Sequence, residues 1–263
     1  APVLGKVTIP EGYTIDQIAT AITTDVSTKK AGKTPFKKED FLKAVQDDAF
    51  IEKMVAKYPK LLASLPSKDS GVRYRLEGYL FPATYNYGKD TTVKEMIDQM
   101  LAAMDQNLSP YYETLESKNI NVNEVLTLAS LVEKEGATDQ DRKDIASVFY
   151  NRLNQDMPLQ SNIAILYAEG KLGQKTTLKE DATINTELDS PYNIYKNTGL
   201  MPGPVDNPGV SAIEAAVNPS KTDYLYFVAN VENGEVFFAK TYEEHNKNVE
   251  EHVNSKLTQA SSN

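Results

Sequence analysis

Two glutamates and a glycine close the segment Leu126-Thr-Leu-Ala-Ser-Leu-Val-Glu133-Lys134-Glu135-Gly136. The residues before them are apolar at helical spacing, and a carboxyl at the edge of a buried stripe has its pKa raised by desolvation. A carboxyl kept protonated near neutral pH can hand its proton to a leaving oxygen, the step that opens a glycosidic bond. At about 100° per residue, Val125, Leu126, Leu128, Ala129, Leu131 and Val132 form the stripe, with Glu133 on one flank and Glu135 on the other, while Lys134 points away. Geometry alone does not choose between the two glutamates. A blander arrangement uses the same residues: two solvated carboxylates, one of them paired with Lys134 or Arg142.

More specific information lies in the blocks around this segment. Upstream stand Ile9-Pro10-Glu11-Gly12-Tyr13 and Leu76-Glu77-Gly78-Tyr79-Leu80-Phe81-Pro82. Downstream follow Ala146-Ser-Val-Phe-Tyr-Asn151-Arg152-Leu153, Leu159-Gln160-Ser161, Ser190-Pro-Tyr192-Asn193-Ile-Tyr195, Gly199-Leu-Met-Pro202-Gly203-Pro204, Asn207-Pro208-Gly209 and Tyr224-Leu-Tyr-Phe-Val228. In this order they resemble the YceG-like family, the endolytic murein transglycosylases (MltG), over roughly residues 7 to 250.

The resemblance implies a peptidoglycan lytic transglycosylase. Such an enzyme cuts the bond between N-acetylmuramic acid and N-acetylglucosamine in nascent glycan strands, leaves 1,6-anhydro ends and so terminates elongation. The family's catalytic glutamate, the one directly before the small residue at the helix end, falls on Glu135. Family members usually read Gln-Ser/Thr-Asp-Pro where this chain has Gln160-Ser161-Asn162-Ile163, and an aspartate is common where Ala83 stands, so a catalytic second carboxylate is excluded at both places. The resemblance also implies an N-terminal transmembrane anchor outside this chain and an extracytoplasmic domain on the cell membrane. Penicillin-binding proteins and other wall-synthesis proteins are the implied partners. Two other readings stay open: a two-carboxylate muramidase drawing its second acid from Glu133, Glu77 or Asp189, and a non-catalytic glycan-binding scaffold.

Composition narrows the classes. A net charge of -9 argues against a nucleic-acid partner, which calls for a basic stripe. The absence of cysteine removes disulfides, thiolate metal sites and a Cys nucleophile. No metal or cofactor is expected: His245 and His252 lie seven apart without a carboxylate-His motif, and no Gly-x-Gly-x-x-Gly, Walker-type or Gly-x-Ser-x-Gly sequence occurs. No apolar run reaches a membrane span of about 20 residues, and the first residues lack the pattern of a signal peptide. Tyrosine is plentiful, at 15 residues with no tryptophan, and sugar rings pack on aromatic planes. Tyr192, Asn193 and Tyr195 are candidates for the cleft wall; Gln160 and Asn151 are candidates to bond an N-acetyl group or orient Glu135, with Glu133 also a substrate-binding candidate.

The pattern predicts an α+β fold. Residues 1–88 are expected to form a small N-terminal α+β subdomain, whose Gly12-Tyr-Thr-Ile-x-x-Ile-Ala19 pattern resembles LysM-type modules, and residues 89–263 a mainly helical, lysozyme-like catalytic domain with a C-terminal β-hairpin. A strand is expected over 6–9, followed by a helix opened by a Thr14/Gln17 capping box. Helices are expected over 38–47, 49–57 and 92–104, after a Thr138/Asp141 cap, and over 242–257, with an extended segment over 74–87. Asn233-Gly234 signals a hairpin whose turn residues both take positive φ. Residues 189–209, rich in Pro, Gly and Asn, should be an ordered loop, and the polar tail 258–263 a frayed terminus.

Overall fold

The computed structural model describes residues 2–173 and 184–254. The chain is a mixture of helices and short strands, with β1 (Gly5–Thr8) pairing antiparallel with β4 (Thr84–Tyr87). Between them run α1 (Ile15–Ala21), the short β2 (Thr24–Asp25) and β3 (Gly32–Lys33) pair, α2 (Lys38–Ala44), α3 (Asp48–Lys57) and α4 (Pro59–Leu62). Only 84–87 of the expected extended segment is a strand. Residues 75–78 turn instead, because Gly78 takes φ 95° and an added Cβ there would stand 2.3 Å from Pro204.

The second part begins with α5 (Val93–Leu108), which opens on a Thr92/Glu95 capping box and buries the methionine stripe Met96, Met100 and Met104. Then come α6 (Tyr112–Ser117), α7 (Val122–Glu135), α8 (Asp139–Asn154), α9 (Asn162–Ala168), α10 (Val210–Val217), the hairpin β5 (Tyr226–Ala229) with β6 (Val236–Ala239), and α11 (Tyr242–Val249). One apolar cluster runs from Val7 to Val217 and does not break at residue 88; the Phe81 amide even donates to the Met100 carbonyl at 3.2 Å.

The organising element is α7. Asn121 and Glu124 cap its start reciprocally, and α8, α9 and α10 pack around it. It is buried on more than the one predicted stripe: Thr127 and Ser130 are also fully enclosed. Ser130 solves its polarity locally, donating to the Thr127 carbonyl and accepting from the Val205 amide. Leu126, Leu128 and Leu131 each contribute about 2 kcal/mol of transfer free energy by their burial.

The hairpin differs in detail from the expected turn. Gly234 alone has positive φ; the Asn230 side chain accepts from the Glu232 amide and the Asn233 side chain from the Glu235 amide. Those two side-chain turns hold a loop over 230–235, wider than a two-residue connection. Residues 250–254 after α11 form a wider π turn; 255–257 of the expected terminal helix and the tail 258–263 lie outside the described residues.

Candidate active site

The end of α7 is fixed by three elements that the chain brings back to it. Gly136 ends the helix in extended conformation, and a Cβ there would sit 2.8 Å from Arg142 Cγ, so its lack of a side chain lets α8 close in. Thr138 caps α8 by accepting from the Asp141 amide. That close packing puts Arg142 beside Glu133.

Glu133 is fully engaged with protein. Its Oε1 accepts from the Gly209 amide at 2.7 Å and its Oε2 pairs with Arg142 at 3.3 Å, with only 7% of the side chain exposed. Arg142 also donates to Ser211 Oγ, so the pair ties α7, α8 and the start of α10 together. Burial raises the Glu133 pKa, and the Gly209 amide and Arg142 oppose that rise.

Glu135, two residues on and about 200° around the helix, meets different surroundings. The residue keeps partial access to solvent, yet its carboxyl lies among protein atoms and burial raises its pKa. Its hydrogen bond is from Ser161 Oγ to Oε1, at 3.2 Å. Tyr195 lies near enough for Glu135 to raise the titration of its phenol, whose hydroxyl donates to Asn162 Oδ1. Gln160 precedes Ser161 in a left-handed conformation, φ 57°, held by its amide bond to the Ile194 carbonyl; its side-chain amide is exposed and without a protein partner among the described residues.

Other residues singled out from the sequence sit elsewhere. Tyr192 and Asn193 do not line an open wall: both are buried, Tyr192 against Tyr167 and under the Arg73 amide. Asn193 is the brace of its own loop, donating to the Thr186 and Leu188 carbonyls and accepting from the Tyr195 and Lys196 amides. Asn151 faces the hairpin side, where both its amide hydrogens go to the Thr222 and Tyr224 carbonyls. Lys134 is outside the buried stripe, and its Nζ lies against Gly12.

Asn207 was not singled out in the sequence beyond its place in a motif, and it is the hub of the site. It is fully buried and makes four side-chain hydrogen bonds: from Nδ2 to the Tyr13 carbonyl and Glu77 Oε2, and to Oδ1 from the Gly78 and Leu80 amides. Three sequence blocks, at 9–13, 76–82 and 207–209, therefore converge on one side chain. The Tyr13 and Asn207 backbones form a bridge beside it. The only sequence signal was a polar residue inside a Pro/Gly loop.

Beneath this hub lie two interior acids. Glu77, 1% exposed, accepts from the Ile15 amide and Asn207, and burial pushes its pKa up to about 8. Asp206 is fully buried without a hydrogen-bond partner on either oxygen among the described residues, and burial raises its pKa well above the usual range. An acid whose folded pKa lies above its unfolded value holds its proton in the native state after the unfolded chain has lost it, so stability falls as pH rises between the two values. For Glu77 that window is pH 4.5 to 8, and its contribution is at most about 5 kcal/mol. Glu77→Gln mimics the protonated form; denaturant titrations of this variant across that window are expected to show a shallower decline than the parent. Parallel curves would count against a neutral Glu77.

Among the described residues no His, Asp, Glu cluster could hold a metal ion, and no helix is long and apolar enough to cross a membrane. The His252 ring stacks on Phe237 and the His245 ring on Tyr226.

The fold and site define an α+β protein built around a central helix that ends in two carboxyls of contrasting environment. Residues 2–251 match the YceG-like family, and the chain belongs to it. It is 64% identical over 256 residues to an endolytic murein transglycosylase of Streptococcus pneumoniae strain D39, covering 97% of this chain and 46% of that protein. A Bacillus subtilis protein of the same name is 41% identical over 95% of this chain and 66% of its own length. The chain thus spans about half the length of the streptococcal relative. A crystal structure of a yceG-like protein from Listeria monocytogenes superposes with a TM-score of 0.81 at 45% identity, covering 94% of this chain and 76% of that one.

Proposed function

We propose that this chain is the catalytic region of an endolytic peptidoglycan lytic transglycosylase in which Glu135 serves as both acid and base. One contrast carries the reading: Glu133 is bound on both oxygens by Gly209 and Arg142, whereas Glu135 holds a raised-pKa carboxyl with one hydroxyl partner and access to solvent. The names of the streptococcal and Bacillus relatives support the same reading.

Glu135 donates its proton to the oxygen joining N-acetylmuramic acid C1 to N-acetylglucosamine C4, and the C1–O bond breaks as the glucosamine hydroxyl leaves. The muramic N-acetyl group shares the positive charge at C1. Glu135, now a carboxylate, takes the proton from the C6 hydroxyl, O6 bonds to C1, and the 1,6-anhydro ring closes with the enzyme's proton restored. No water is consumed. Two-carboxylate glycosidases need a second acid to activate water or to attack C1. Here an internal hydroxyl replaces it, in keeping with Glu77 lying in the interior.

In this reading Gln160, beside Ser161 and with its side-chain amide unpartnered among the described residues, bonds the substrate's N-acetyl group. Residues 1–88 brace residues 89–263 through Asn207. The whole protein works on the outer face of the cell membrane, held by an anchor outside this chain, on nascent strands beside penicillin-binding proteins.

The test is the chemistry of the ends. Uncrosslinked nascent glycan incubated with the protein is expected to give fragments ending in anhydromuramic acid by mass spectrometry. Reducing ends would move the reading to a muramidase, and binding without cleavage by the full-length protein to a scaffold.

A further inference from the structure

We propose that Ser161 is a positioning residue for Glu135, its hydroxyl proton fixing Oε1 so that Oε2 is the oxygen that carries the catalytic proton. The proposal rests on the reading of Glu135 as acid and base. Ser161 is 3% exposed, and its Oγ accepts from the Ile163 amide at 3.2 Å while lying 3.2 Å from Glu135 Oε1. A hydroxyl has one proton to give. With a lone pair engaged by the amide, that proton is directed at Oε1.

The consequence follows from carboxyl chemistry. An oxygen that accepts a donated proton serves as the carbonyl oxygen of the neutral acid, so the acid's own O–H belongs on the other oxygen. Oε2 has no protein partner among the described residues and is not enclosed, which leaves it the oxygen open to a substrate. The same bond favours the carboxylate over the acid and so opposes the effect of burial, making the group a competent base in the second half of the reaction. Among the described residues the other titratable group facing Glu135 is Tyr195, from the 184–209 loop; Arg152 acts on Tyr195, while Glu133 and Lys134 on the same helix are directed to Arg142 and Gly12.

Titration of Glu135 by carbon NMR of carboxyl-labelled protein tests this without reference to activity. Ser161→Ala is expected to raise the Glu135 midpoint by about one pH unit, the scale of a hydrogen bond to a charged group. Ser161→Thr keeps both the donor and the cap and should restore the parent midpoint. In kcat/KM profiles the alkaline limb should move up with the midpoint in the alanine variant. A merely structural role, through the cap on α9, would lower the rate by one factor at all pH values and leave both midpoints in place. A Glu135 midpoint in Ser161→Ala that superimposes on the parent overturns the proposal. A parent that cleaves no glycan sinks the functional reading instead, and the NMR titration still decides the role of Ser161.

Discussion

Glu135→Gln is expected to reduce glycan cleavage by about a hundredfold to ten-thousandfold, the range for loss of a positioned acid-base group. The amide has nearly the same shape and can still accept the Ser161 hydroxyl at Oε1, so the fold is undisturbed. What it lacks is a proton it can release to a leaving oxygen and recover from a hydroxyl. Glu133→Gln is the informative contrast. It removes the charge opposite an Arg142 side chain that is only 14% exposed, so it should lower thermal stability while changing the rate by less than about tenfold. Initial rates of anhydro-ended product release, with melting curves for each variant, check both. If Glu133→Gln lost cleavage and Glu135→Gln kept it, the two roles would have to be exchanged.

Asn207→Ala should be among the most destabilising single changes in the chain. It deletes four side-chain hydrogen bonds at once, strands the Gly78 and Leu80 amides, and leaves the Tyr13 carbonyl with the Asn207 backbone amide and Glu77 with the Ile15 amide. Each net bond is worth about 1 kcal/mol, and stranded groups cost more, so a loss on the order of 4 kcal/mol is expected. For a chain of this size that corresponds to a fall in Tm of about 10 °C. Asn207→Asp keeps two acceptors but brings a third carboxyl to Glu77 and Asp206, and should be no milder. Urea denaturation of both variants is the measurement. A loss below about 1 kcal/mol would mean that the loop is held by its backbone and not by this side chain.

What could be read from the sequence was local. Capping boxes at Thr14/Gln17 and the cap at Thr138 announce themselves within four residues, and the methionine stripe of α5 lies at a spacing that only a helix uses. The position of Glu135 at a helix end, and Arg142 as a partner for one glutamate of the pair, were legible for the same reason. The hub was not. Asn207 meets residues far away in sequence, and nothing in Asn-Pro-Gly names those partners. Tyr192 and Asn193 misled because an aromatic and an amide in a Pro/Gly loop have the same sequence appearance whether they face a ligand or hold the loop's own carbonyls. Asn233-Gly234 carried a genuine turn signal, but Asn230, three residues earlier, competes for the same backbone amides and widens the loop.

The span of that hub also sets an order of events in time. The Asn207 side chain reaches the Tyr13 carbonyl across 194 residues of chain and the Gly78 amide across 129. Contacts of such separation close only after large entropic loops have been drawn together, and they form late. During synthesis, the helix bearing Glu135 emerges well before residues 207–209, the segment that fastens its end to the first strand and turn. The glutamates thus exist on a nascent chain for tens of residues before the surroundings that differentiate them do, and a partly made chain carries both carboxyls without the contacts that set them apart.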